Sequence, residues 1–284
     1  MSSAALTRVM TLFYVALFFA YLFGPLVLMG ISAFNTEKYP TAVPWSGFTL
    51  EWFNKLFNDT DLVRGFQNSL IIGAGVVVLS VPIGLAAAII MSQLHKRARS
   101  IYYAVVLSPM LTPGVIIGIS TLVFWDRLGT AFDADWDTFF YDGIFLSILG
   151  QTSFISTFCM LIFIARLQRF DRAQEEAALD LGASHLRVFF RILIPFLRPA
   201  VFAAIVLAFL TSFENYNTTV FTIVSESTLT TVLAGKVRLG TDPSISALAV
   251  LIILITLVGA TAIELRKRAE EKRIAAQLAA EKGL

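Results

Sequence analysis

The chain has 284 residues, of which 57% are hydrophobic and only 15% are charged. This composition excludes an ordinary soluble domain and predicts a polytopic membrane protein. The net charge of +2 does not indicate a nucleic-acid partner. The single cysteine, Cys159, lies inside an apolar run, which predicts a buried packing role and excludes an internal disulfide or a cysteine metal cluster.

Six apolar runs are long enough to cross a bilayer, which takes about 20 helical residues. Lipid offers no hydrogen-bond partner to the backbone, so the runs are predicted to be helices, and the alternating segments of a membrane barrel are not seen. The predicted spans cover about residues 9–34, 68–94, 101–125, 143–165, 199–222 and 245–264. They define an all-α polytopic membrane protein with a transmembrane domain over residues 1–268 and a tail over residues 269–284. We expect the long first span to be retained and not cleaved as a signal peptide.

The distribution of lysine and arginine predicts the orientation of the spans. If the N-terminus is cytoplasmic, the inner segments carry sixteen of the 22 basic residues and the outer segments carry six. Basic residues concentrate on the cytoplasmic side of membrane proteins. We therefore expect both termini in the cytoplasm, together with the loop between the fourth and fifth spans, residues 166–198.

The first two outer loops differ in their chemistry. The first, residues 36–66, contains Trp45-Ser46-Gly47-Phe48-Thr49-Leu50-Glu51-Trp52-Phe53, whose aromatic side chains suit a membrane interface. The second, residues 126–142, holds five aspartates against Arg127. Such a mouth would attract cations, although a solvated loop with no role in selection is an equal alternative.

The third span contains two prolines four residues apart, Pro109 and Pro113, which interrupt helical hydrogen bonding. Broken helices in membranes often border transport sites, because freed carbonyls and small side chains can line a cavity. Ser108 and Thr112 lie beside these prolines and are candidate residues of a solute pathway.

One carboxylate, Glu214, lies within the fifth span. It follows Pro199 by fifteen residues, or about 22 Å of helix, which predicts a position in the outer half of the bilayer. A carboxylate there is costly and by default functional. We interpret Glu214, with Asn215 and Tyr216, as a contact for a cationic solute. The alternative is that the helix ends early and leaves Glu214 in the interface.

The loop at residues 166–198 is predicted to form two helices joined by a tight turn. Asp171 is the expected N-cap of the first helix, with Gln174 at capping-box distance. Gly182 suits the left-handed position that ends this helix, and Ser184 is expected to cap the second. An amphipathic helix lying on the membrane surface is the plain alternative.

The same loop carries Glu176-Ala177-Ala178, three residues, Gly182, nine residues, and then Ile192-Leu193-Ile194-Pro195. This run resembles the EAA loop of bacterial ABC-importer permeases, E-A-A-x3-G-x9-I-x-L-P, with Ile194 in place of leucine. Agreement at the glycine and the proline outweighs the surface-helix alternative. The resemblance implies that the short helix before Gly182 is a coupling helix that docks on an ATP-hydrolysing subunit. The implied coupling residues are Glu175, Glu176, Ala177, Ala178, Asp180, Gly182, Ala183, Arg187 and Pro195.

Three further stretches resemble the spermidine/putrescine members of that family. They are Trp45–Phe53, Ser212–Asn217 with glutamate in place of aspartate, and Gly240–Leu248. In the last stretch Ser244 replaces the usual glutamate and Ser246 the usual asparagine. A different ligand preference is expected if these residues touch the solute or a binding protein.

The resemblance implies a transmembrane subunit of a bacterial ATP-driven importer in the inner membrane, working by alternating access on a polyamine or a related small organic cation. The implied partners are a second permease, two ATP-binding subunits, a periplasmic solute-binding protein and the lipid bilayer. ATP and magnesium would lie on the partner subunits, because this chain has no G-x-x-x-x-G-K-[ST] loop. It also lacks H-E-x-x-H and G-x-S-x-G, so we expect no enzyme activity, no bound cofactor or metal, and no nucleic-acid partner.

Other functions stay open on the sequence alone. The solute could be an amino-acid derivative or an opine-like compound. An ion-coupled secondary transporter could use Glu214 as a proton site, but it should show an inverted repeat, which is not seen. An intramembrane enzyme would need paired polar residues at matching depth, and only Glu214 qualifies.

Overall fold

The computed structural model describes residues 3–240 and 242–282, which are mostly helical. The helices are α1 (Ser3–Ser32), α2 (Glu51–Asn58), α3 (Thr60–Gln93), α4 (Lys96–Leu111), α5 (Gly114–Ala131), α6 (Gly143–Leu167), α7 (Ala173–Asp180), α8 (His185–Val188), α9 (Ile194–Phe213), α10 (Thr219–Thr222), α11 (Leu229–Leu239) and α12 (Ser244–Lys282). A π-helical turn, Phe189–Leu193, joins α8 to α9. In the described residues six stretches are long and apolar enough to cross a membrane, which confirms the all-α architecture with six spans. Residues 1–2 of the predicted transmembrane domain and residues 283–284 of the predicted tail lie outside the described residues.

The chain forms two compact units. The larger unit, Thr60–Gly235, contains α3 to α10 and the first part of α11. The smaller unit contains the described parts of Met1–Asp59 and Lys236–Leu284, in which α12 packs against α1 and α2.

Helices α3, α6 and α9 form the core of the larger unit. The most extensive helix contact in this core is between α3 and α6, and Gly84 of α3 lies directly against α6. A Cβ atom on Gly84 would lie 2.5 Å from the Cβ of Cys159 and 2.7 Å from the carbonyl oxygen of Ser156. Small residues allow helices to approach closely in lipid, where burial from water does not drive their association. Cys159 is fully buried in this contact, as the sequence predicts.

The third predicted span is divided into α4 and α5. Thr112 and Pro113 adopt extended backbone conformations between the two helices, so the interruption expected at the prolines is confirmed. Beyond the break, α5 packs against the segment around Thr218. A Cβ atom on Gly118 would lie 2.6 Å from the carbonyl oxygen of Thr218, so glycine is needed for this close approach.

The fifth predicted span is not one continuous helix. Its helix starts earlier than predicted, at His185, and ends at Phe213. The early end has a local cause in Asn215, whose Oδ1 accepts hydrogen bonds from the backbone N–H groups of Thr218 and Thr219, at 3.2 and 3.3 Å. An asparagine that bonds to nearby backbone groups competes with helical hydrogen bonding. A turn and the short helix α10 therefore replace the predicted continuation to residue 222.

Asn35 organises the loop between α1 and α2 within the smaller unit. This buried side chain donates from Nδ2 to the carbonyl oxygens of Thr41 and Pro44, at 3.0 and 2.9 Å. Its Oδ1 accepts from the backbone N–H of Ser46, and its carbonyl oxygen accepts from the indole Nε1 of Trp52 at 2.7 Å. The aromatic run is therefore a folded loop with specific internal hydrogen bonds, and not only a set of interfacial side chains.

Asp242 caps the start of α12. Its carboxylate accepts hydrogen bonds from the backbone N–H and the hydroxyl of Ser244 and from the Nζ of Lys55 on α2. Burial alone would raise the pKa of Asp242, but the hydrogen bonds from Lys55 and Ser244 outweigh it and hold the pKa below its ordinary value. Ser244 and Ser246 are both 1% exposed, so the side chains that depart from the family pattern are structural ones here. Thr241 of the same stretch lies outside the described residues.

We predict that Gly84→Ala destabilises the chain by about 1–3 kcal/mol, because the added methyl group forces α3 and α6 apart. Gly24→Ala in α1 is the matched control, since a Cβ atom there meets nothing within 4 Å. Thermal unfolding of both variants in detergent measures the difference. Equal melting temperatures would contradict the close α3–α6 contact.

Candidate functional site

The predicted coupling helix is α7, and a specific backbone motif closes it. Gly182 has φ +83°, in the left-handed region that favours glycine. The N–H of Gly182 donates to the carbonyl oxygen of Leu179 at 2.9 Å, and the N–H of Ala183 donates to that of Ala178 at 3.0 Å. These are the two hydrogen bonds of a Schellman motif. The turn predicted at Gly182 is therefore present.

Both predicted caps of the loop helices are present. Asp171 caps the first helix, because its Oδ1 accepts from the N–H of Ala173, two residues on, at 3.0 Å. Arg172 already has helical dihedral angles and is the first residue after this cap. The reciprocal bond from the Gln174 side chain, which would complete the predicted capping box, is not among the hydrogen bonds of the described residues. Ser184 caps the second helix, and its hydroxyl accepts a hydrogen bond from the backbone N–H three residues on.

The tip of this loop presents small, acidic and apolar groups to the outside. Leu181, beside Gly182, is 89% exposed, although it is a large apolar side chain. The sequence analysis did not single out Leu181. The feature that could have identified it is a large apolar residue at the C-cap of a helix with several polar side chains. Of the predicted coupling residues, the exposed ones are Glu176, Ala177, Asp180, Gly182 and Arg187, and the half-buried ones are Glu175, Ala178, Ala183 and Pro195.

The loop is fastened to three of the long helices. At the end of α6, the Nε and Nη2 of Arg166 each donate to the carbonyl oxygen of Phe196 on α9, at 3.2 Å. The Arg166 guanidinium also lies 4.2 Å from the centre of the Phe196 ring, which in turn contacts the ring of Phe170. Just before α7, Arg172 donates from Nη2 to the carbonyl oxygen of Ser92 on α3, at 2.8 Å. These contacts therefore link the loop that carries α7 to the ends of α3, α6 and α9.

A buried hydrogen-bonded cluster joins α6 to the far end of α9. The side chain of Gln151, which is 1% exposed, donates from Nε2 to the Thr219 hydroxyl at 2.8 Å and accepts from the Ser212 hydroxyl at 2.5 Å. The Thr219 hydroxyl then donates to the Oδ1 of Asn215 at 3.1 Å. Sequence reasoning missed Gln151, although it is the one amide side chain in the predicted fourth span.

The predicted pathway residues Ser108 and Thr112 line one cleft beside the break between α4 and α5. Their hydroxyls donate within the helix, to the carbonyl oxygens of Val105 and Ser108, both at 2.8 Å. Their oxygen lone pairs thus remain available as acceptors. The cleft also contains the ring of Trp125 and the hydroxyls of Ser120, Thr121 and Ser153.

The remaining predicted pathway residues lie elsewhere. Glu214 is exposed at the C-terminal end of α9, where it lies at one end of an apolar groove lined by Phe202, Val206 and Leu210. Asn215 belongs to the buried cluster around Gln151, and Tyr216 is half-buried in the same turn. Glu214 and Ser108 were predicted to line one pathway, but in the described residues they line two different cavities.

These features define a membrane transport subunit: six apolar helices, a broken helix beside a polar cleft, and an exposed loop fastened to the spans. Residues 80–274 match the family described as binding-protein-dependent transport system inner membrane component. The chain is 31% identical to the putrescine transport system permease protein PotI of Escherichia coli (strain K12), over 90% of each chain. It is 28% identical to the spermidine/putrescine transport system permease protein PotC of the same strain, over 89% of this chain and 92% of that one.

The fold agrees with a solved structure. A bacterial alginate ABC transporter, crystallised in complex with an alginate pentasaccharide-bound periplasmic protein, has a chain that aligns with a TM-score of 0.66 and 17% identity, over 89% of this chain and 90% of that one. The chain belongs to the binding-protein-dependent transport system inner membrane component family. It is thus an inner-membrane permease subunit of an ABC importer, as its EAA loop predicts.

We predict that Gln151→Met destabilises the chain by about 1–3 kcal/mol, because the Ser212 and Thr219 hydroxyls lose a buried partner. Gln67→Met, at an exposed position of α3, is the matched control. Chemical or thermal unfolding of the purified variants in detergent measures both changes. A Gln151 variant as stable as the Gln67 variant would show that the cluster contributes little.

Proposed function

We propose that this chain forms, together with a second permease, the membrane pathway for a polyamine or a related small organic cation. The observation that carries the proposal is the exposed carboxylate of Glu214 at the end of the apolar groove along α9. Its aliphatic lining suits the methylene chain of such a solute, and the carboxylate suits its ammonium group. The names of the relatives PotI and PotC support the same solute class.

The groove on α9 is open in the single chain. Phe202 is 70% exposed and Leu210 is 57% exposed, so a row of large apolar side chains has no cover from this chain. A second permease subunit packed along α9 would cover this row and would turn the groove into a closed pathway. The solute, delivered by a periplasmic binding protein, would then meet Glu214.

In this proposal, two ATP-binding subunits that hold ATP and magnesium supply the energy for transport. In this arrangement α7 docks in a cleft of such a subunit, with Leu181 as its apolar contact and Ala177 facing the cleft wall. The exposure of Leu181 and the closed turn at Gly182 support this role. The docking requires α7, and with it both chain termini, on the cytoplasmic side, and the excess of basic residues in those segments supports this orientation.

Gly182→Asp is expected to abolish uptake while the protein still reaches the membrane. The substitution places a side chain at a left-handed position, which costs about 1–2 kcal/mol, and it adds a charge to the docking tip. Gly240→Asp is the matched control, because Gly240 also has a positive φ, +106°, with nothing within 4 Å of its added Cβ.

The measurements are uptake by whole cells and ATP hydrolysis by the purified assembly in lipid. The coupling role predicts loss of both with Gly182→Asp and normal values with Gly240→Asp. Normal uptake with Gly182→Asp would contradict the proposal. Uptake that continues without any ATP-binding subunit would indicate ion-driven transport instead.

Glu214→Gln is expected to raise the apparent KM for putrescine or spermidine about fivefold, because a partly exposed charge pair contributes only modestly to binding. Glu214→Asp should restore most of the loss, and Glu51→Gln, which removes an exposed carboxylate from α2, should have no effect. The assay is competition for labelled polyamine uptake by a panel of cations, neutral amino-acid derivatives and opines. Uptake of a neutral solute with no effect of Glu214→Gln would assign this permease to another substrate class.

A further inference from the structure

A cavity lies where α3 and α6 end and α4 begins, on one side of the larger unit. Its apolar wall comes from the last turns of α3 and α6, with Met91, Ile164 and Leu167. Both α3 and α6 are membrane-spanning candidates, and at this side of the unit each is followed by a segment rich in basic residues, 96–99 and 166–172. Basic segments of this kind flank membrane spans, so we infer that the cavity opens near the headgroup region while its apolar wall continues along the spans.

Two guanidinium groups, those of Arg99 and Arg172, line the same cavity. Its described lining contains no carboxylate. Arg172 also lines the adjoining cavity under α7, which contains Glu175 and Glu176, but no ion pair joins Arg172 to either carboxylate among the described residues. Arg172 uses one nitrogen to donate to the Ser92 carbonyl, and a guanidinium has five N–H donors. Both arginines therefore retain donors for a ligand that carries negative charge.

The position of Arg99 makes an anion favourable there. It lies in the first turn of α4, together with Lys96 and Arg97, and this turn contains no acidic residue. Three cations at a helix N-terminus meet the positive end of the helix dipole. No side chain caps this turn. The repulsion between the three cations and the helix dipole is therefore not offset by a cap or by an acidic residue in this turn.

We propose that this cavity binds an anionic phospholipid, with the phosphate between Arg99 and Arg172 and an acyl chain along Met91 and Leu167. Basic pockets between membrane helices are suited to anionic headgroups. A free phosphate would match the two arginines but would leave the apolar wall unused, which favours the lipid. The site is independent of the transported solute and of the role of Glu214.

The test is native mass spectrometry of the full-length protein in detergent, titrated with phosphatidylglycerol and, separately, with phosphatidylethanolamine of the same acyl chains. We expect preferential retention of phosphatidylglycerol. Arg99→Gln combined with Arg172→Gln should weaken that retention about tenfold or more. Arg97→Gln combined with Arg169→Gln removes the same charge from the same two segments, at exposed positions outside the cavity lining, and should leave retention unchanged.

Each other outcome overturns the proposal. Equal loss in the two double variants would indicate general surface electrostatics, and equal retention of the two lipids would exclude recognition of an anionic headgroup. Full competition by inorganic phosphate or glycerol 3-phosphate would assign the cavity to a soluble anion. If the Arg172 variant does not fold, Arg99→Gln alone should still weaken retention of phosphatidylglycerol severalfold, because Arg99 is an exposed residue at the start of α4.

Discussion

Hydrocarbon cannot form hydrogen bonds, so every place where a membrane helix of this protein breaks must be satisfied by the protein itself. At the end of α9, Asn215 accepts the backbone N–H groups of the next turn, and Gln151 holds the hydroxyls on both sides of the break. Buried polar side chains of this apolar chain thus satisfy the break at the end of α9.

Hydrogen bonds join α6 and α9 at two widely separated points. One end of the pair is joined by Arg166, which donates to the Phe196 carbonyl oxygen, and the other end by Gln151, which accepts from Ser212. The stretch between them is filled by fully buried small and apolar side chains, including Cys159 and Ala204. Transmission between distant sites requires an element that moves as a body between discrete states. The pair α6 and α9, joined at two points and packed between them, is our candidate for that element.

The sequence predicted the elements whose cause is local. The turn at Gly182, the cap at Ser184 and the interruption at Pro113 each follow from the backbone preferences of one residue, and all three are present. The fifth span was predicted to continue to residue 222 because hydropathy continues past residue 213, and the early end was only the alternative; the structure has that early end, through hydrogen bonds to Asn215. The cause is again local, but an asparagine can either stay helical or bond to nearby backbone groups, so the residue type alone does not decide between them.

The long-range partners were also beyond the sequence. Gln151 and Ser212 are 61 residues apart, and their pairing depends on how α6 and α9 pack. The buried state of Ser244 and Ser246 likewise depends on the fold of the smaller unit. The family resemblance supplied the usual residues at positions 244 and 246 but not the environment of these side chains. Ser244 and Ser246 suggested a different ligand, whereas both side chains are buried inside this chain.

Two helix ends of this protein carry a charge of the same sign as the local helix dipole. Three cations occupy the first turn of α4, and Glu214 occupies the C-cap of α9. Among the described residues, Glu214 has no ion-pair partner. A charge of the wrong sign at a helix end costs about 0.3–1 kcal/mol, and a ligand of the opposite sign removes this cost. The arrangement therefore favours a cation at Glu214 and an anion at Arg99, which are the two ligand classes proposed from the shapes of the groove and the cavity.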